Sequence, residues 1–115
     1  MNEPERDWAS RAYHEIIEAG TDWADKDAAA KFLDDTRKPT LAQIANTIDV
    51  KSMSERESKA RAHPDYMEHL LKLKTARKRA NLARVKYDAA KTLASLRQTQ
   101  ESLKKAEMKM GGMTT

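Results

Sequence analysis

The chain contains no cysteine. Disulfides and thiolate metal sites are therefore excluded, which fits a reducing cytosolic compartment. Glycine occurs three times, twice as the adjacent pair Gly111-Gly112, so there is no glycine-rich phosphate loop and no glycine-flanked nucleophile motif. Aromatic residues make up only 5% of the sequence, so a compact monomer of 115 residues has little large apolar area to bury. No apolar run approaches the length of a membrane span, and the opening Met1–Asp7 lacks the basic-then-apolar layout of a signal peptide. These features predict one small cytoplasmic domain that is not an enzyme and takes no cofactor.

Charge is plentiful and unevenly placed. Residues 1–65 carry 10 Lys+Arg against 14 Asp+Glu, whereas residues 66–115 carry 12 against 4. A chain polarised in this way predicts an anionic partner for its C-terminal half and head-to-tail contact between subunits.

Local signals read as helix throughout. Pro4, Glu3, Glu5 and Asp7 suit a helix start, Gly20 a helix end, and Trp8, Ala12, Ile16 and Ala19 share one face. A second short helix follows from Thr21 or Asp22 through Trp23, Ala28, Phe32 and Leu33 to the Asp34–Pro39 segment, and the two tryptophans anchor this N-terminal unit. Thr40 with Gln43 forms a capping-box pattern for a third helix, and Ser54 with Glu57 repeats it for a short polar helix reaching Ala62. His63-Pro64 restarts the chain. No glycine or proline interrupts residues 65–110, which predicts one long helix of roughly 70 Å, with a hairpin near Ser95–Gln100 as the alternative. The expected organisation is a helical unit over 1–62, a long assembly helix over 63–111 and a disordered tail over 112–115.

Along that helix Tyr66, Leu70, Leu73, Ala76, Ala80, Ala83, Tyr87, Ala90 and Ala94 recur every three or four residues, as a coiled-coil-like seam requires. Leu70 through Ala94 of this seam are the expected homo-oligomer interface. A second stripe, Leu82, Val85, Ala89, Leu93, Leu96 and Leu103, lies elsewhere on the cylinder and implies more than one neighbouring helix. The fold class expected is all-α, with short N-terminal helices and one long C-terminal helix assembling as a helical oligomer.

The strongest chemical signal is the basic run. Lys72, Lys74, Arg77, Lys78, Arg79, Arg84, Lys86 and Lys91 occupy five or six turns, and such cations neutralise phosphates with release of counterions, independent of sequence. Lys74, Arg77, Lys78, Arg79, Arg84, Lys86 and Lys91 are the candidate nucleic-acid contacts; an ordinary solvated helix face and an acidic protein surface are the competing readings. A membrane-surface role is disfavoured, because the helix has no Trp or Phe and its apolar residues are small. Leu41–Val50 resembles the first half of a helix-turn-helix, but Ser54–Ala62 offers little apolar surface to hold a recognition helix. Asp65 and His69 lie one turn apart without a third metal ligand, and Asp22, Asp25, Asp27, Asp34 and Asp35 lack the ligand periodicity of a calcium loop. No catalytic or metal site is expected.

The segments Ser54–Ala60, Tyr66–Leu70 and Ala76–Lys91 resemble small helical proteins of tailed phages. The basic, alanine-rich block Lys78–Tyr87, ending in tyrosine, is similar to the helix of UvsY-type recombination mediators. The resemblance covers about half the chain. It implies a phage-encoded helical oligomer in the host cytoplasm that binds single-stranded DNA and helps load a recombinase onto strands coated by single-strand-binding protein. The alternative is a non-enzymatic adaptor whose long helix recruits another protein.

Overall fold

A computed structural model of the chain describes residues 3–114, with side chains over 7–112. It is all-α. Helix α1 spans Glu3–Asp35, α2 Arg37–Asn46, α3 Met53–Ala62 and α4 Pro64–Thr114.

The N-terminal half departs from the expected short helices. Gly20 and Thr21 do not end one helix and cap another; they lie within the single 33-residue α1. Tertiary packing overrides the local stop signal here, because a Cβ at Gly20 would sit 3.1 Å from Cε1 of Tyr87. Glycine is the residue that lets that ring lie against the helix backbone. The α1–α2 break is one residue long. Thr36 donates its backbone N–H to Phe32 O at 3.0 Å and its own carbonyl accepts from Thr40 N at 3.0 Å. Thr40 and Gln43 therefore lie inside α2, and Pro39 sits in its first turn, where a missing N–H costs least.

The α3 cap is displaced by two residues from the sequence reading. Ser52, extended at φ −82° and ψ 128°, accepts from the Glu55 N–H, so Ser52 and Glu55 are the pair that opens α3. Arg56 reaches back to donate to Val50 O at 2.7 Å and fastens the α2–α3 connector. His63 closes α3 in an extended conformation and Pro64 opens α4, as the dipeptide dictates.

Helix α4 runs without a hairpin at Ser95–Gln100 and continues through Gly111 and Gly112 to Thr114. The expected tail over 112–115 is thus helical as far as Thr114, and Thr115 lies outside the described residues. Neither glycine takes a positive φ.

The chain divides into two compact units. Unit 1 comprises Met1–Thr21 with Arg84–Thr115, and unit 2 comprises Asp22–Ala83. In unit 1, Trp8 lies beside Arg97 and Gly20 beside Tyr87, so the two helical segments run antiparallel. In unit 2, Leu33 meets His69 and Asp34 meets Arg77, which joins α1 to α4 there. The buried core is small-residue in character: Ala30, Ile44, Ala60, Leu73, Ala80 and Ala83. The first α4 stripe is the inward one. Leu73, Ala80 and Ala83 are buried, and Leu70, Ala76, Tyr87, Ala90 and Ala94 are partly covered. Within the chain, Tyr87 of this stripe lies against Gly20 of α1.

Candidate nucleic-acid interface

The candidate cations fall into two groups. Unit 2 carries Lys74, Arg77, Lys78 and Arg79; unit 1 carries Arg84, Lys86 and Lys91. All are exposed, as expected of charged side chains flanking a buried alanine face. At about 100° per residue, Lys74 and Lys78 project about 40° apart, while Arg79 lies about 100° further round from Lys78. The cations therefore surround the outer side of the helix and do not form one line.

Two of the seven are engaged by carboxylates. Arg77 donates from Nη2 to Asp34 Oδ1 at 3.0 Å, a pair with both partners about half exposed. Lys91 lies 3.5 Å from Asp88 and 4.3 Å above the Tyr87 ring. Lys72, which belongs to the same run, lies 3.3 Å from Glu68. Lys74, Lys78, Arg79, Arg84 and Lys86 have no ion-pair partner within 4.0 Å among the described residues. Tyr66 and Tyr87 are both partly covered, so neither is presented as an open base-stacking platform on α4.

The remaining candidates resolve into structural roles. Asp22 binds Lys26 at 2.8 Å, Asp27 binds Lys31 at 3.0 Å, and Asp34 holds Arg77. His69 Nε2 lies 2.7 Å from the Leu33 carbonyl, which engages that nitrogen with backbone. No cluster of three potential metal ligands occurs among the described residues. In the region resembling a helix-turn-helix, α2 and α3 pack on each other, yet α3 buries only Ala60 and leaves Glu55 and Glu57 exposed. Two acids on the outer face oppose phosphate approach.

Unit 2 also holds a groove of about 530 Å³ floored by Ala29, Leu33, Leu71 and Ala76 and rimmed by Lys72 and Arg79. Sequence reasoning overlooked Tyr13 and Ile17 on α1. They are exposed although their i, i+4 spacing is that of a helix face. No described helix is long and apolar enough to cross a membrane. Compared with protein-family models, curated proteins and solved structures, the chain matches none.

Proposed function

We propose that this chain is a non-catalytic protein that binds single-stranded nucleic acid, most directly DNA, through the outer cations of α4. The observation that carries the reading is the concentration of Lys74, Lys78, Arg79, Arg84 and Lys86 within 13 residues, all exposed and none paired with a carboxylate among the described residues. An unpaired cation is hydrated and free to exchange its counterion for a phosphate, so its contribution is electrostatic and indifferent to base identity. With both α4 tyrosines partly covered, stacking adds little and sequence preference is weak. Five phosphate contacts would give a log–log salt slope of about −3.5 for a single strand.

The resemblance of Lys78–Tyr87 to UvsY-type mediators extends the reading to a recombination accessory that assists a recombinase on strands coated by single-strand-binding protein. Measuring recombinase ATP hydrolysis on coated strands with and without this protein tests that extension; stimulation supports it and an unchanged rate refutes it. Binding itself is tested with labelled homopolymer and mixed-sequence oligonucleotides across salt concentrations. Similar affinities that fall together with salt are expected. A protein–protein adaptor is favoured instead by the exposed apolar stripe on α4, and absence of strand binding at low salt would select it.

A further inference from the structure

The groove of about 530 Å³ in unit 2 lies between α1 and α4, and its two edges differ in charge. Its floor is aliphatic, with Ala29 and Leu33 from α1 and Leu71 and Ala76 from α4. The α4 wall runs from Glu68 to Arg79, about three turns or about 16 Å. Thr75 adds a hydroxyl to that wall.

The charged side chains divide by edge. Within the wall, Lys26 is held by Asp22 at 2.8 Å and Lys72 by Glu68 at 3.3 Å, whereas Arg79 has no ion-pair partner within 4.0 Å among the described residues. Lys74 and Lys78 follow Leu71 by three and seven residues, so they stand along the α4 edge, within about 60° of Leu71 round the helix. Both are exposed and, among the described residues, equally unpaired. On α1 the edge carries Asp25, exposed and one turn before Ala29. A polyanion is therefore drawn to the α4 edge and kept off the α1 edge, with the aliphatic floor between them.

We infer that this groove receives bases of the strand whose phosphates lie on Lys74, Lys78 and Arg79. The inference rests on the reading of α4 as a strand-binding helix and says where the bases go, given that Tyr66 and Tyr87 are partly covered. A base presents a flat face of low polarity, so it loses water against Ala29, Leu33, Leu71 and Ala76 at little cost, while its polar edge stays at the open side. An aliphatic floor reads no hydrogen-bond pattern, so any base is accepted. A duplex carries denser phosphates yet keeps its bases paired inside, so the groove favours a single strand.

The test compares two labelled strands of equal length and charge, an oligothymidylate and its counterpart with abasic sites throughout, by fluorescence anisotropy across salt concentrations. The wild type should bind the thymidine strand on the order of fivefold tighter at every salt concentration, because a buried base face adds apolar contact. The salt slope should be the same for both strands, since the base releases no counterion. Leu71→Ser and Ala29→Gln are uncharged changes at exposed positions. Each should bind the thymidine strand as weakly as the wild type binds the abasic one, with salt slope and helicity unchanged. Equal wild-type affinity for the two strands overturns the inference, leaves the strand-binding reading intact and frees the groove for a protein helix. A preference for the thymidine strand that survives in both folded variants also overturns it. If neither strand binds at low salt, the strand-binding reading fails and the inference fails with it.

Discussion

Leu73→Ala is the substitution to which the fold should be most sensitive. Leu73 is 3% exposed, and the other buried positions among the described residues are four alanines and Ile44, so few apolar side chains larger than a methyl contribute to the core. Truncation removes the transfer energy of the lost carbons and leaves a cavity that its surroundings fill only in part, which together cost about 2–5 kcal/mol. Neighbours as small as Ala76 and Ala80 have no side-chain length with which to collapse into the space, so about 3 kcal/mol is expected. For a domain of this size each kcal/mol lowers the melting temperature by about 4–8 °C, giving a fall of about 12–24 °C. Thermal and urea unfolding followed at 222 nm would measure it. Leu71, two residues away and 60% exposed, is the control, and Leu71→Ala should change stability by less than about 0.5 kcal/mol. Equal effects at the two positions, or a loss below about 1 kcal/mol at Leu73, would refute the assignment of the inward face.

Gly20→Leu should destabilise by about 1–3 kcal/mol, because any Cβ there already crowds the Tyr87 ring, and urea midpoints of the variant and wild type would show it. Gly111→Ala, where nothing lies within 4 Å of an added Cβ, should leave stability equal or higher by up to about 1 kcal/mol. Ser52→Ala removes the acceptor for the Glu55 N–H, a long bond at 3.4 Å, so a loss of about 0.5 kcal/mol is expected in the same assay.

The sequence pattern reveals some of this architecture and conceals the rest for physical reasons. The α3–α4 boundary is legible because proline restricts the residue before it, and His63 adopts the extended backbone that this restriction requires. The inward stripe of α4 is legible from its three- and four-residue spacing. What meets that stripe is not, since periodicity identifies a buried face without naming its neighbour; at Tyr87 the neighbour is Gly20 of α1 in the same chain. Gly20 reads locally as a stop, and only the approach of Tyr87, 67 residues away, explains a glycine inside α1. Thr40 and Gln43 match a cap pattern yet lie within a helix that starts at Arg37. The basic run is visible in sequence, but which of its members are neutralised depends on distant acids such as Asp34, paired with Arg77.

The central claim, that the unpaired cations of α4 hold a nucleic-acid strand, is tested most directly by replacing Lys74, Lys78 and Arg79 together with alanine. Alanine preserves helix propensity, so helicity and mass should match those of the wild type. Fluorescence anisotropy with a labelled single strand, titrated over a range of salt concentrations, compares the two proteins. At about 1 kcal/mol per lost phosphate contact, affinity should fall well over tenfold. The magnitude of the salt slope should drop by about two. Unchanged affinity and slope in the folded triple variant would contradict the claim.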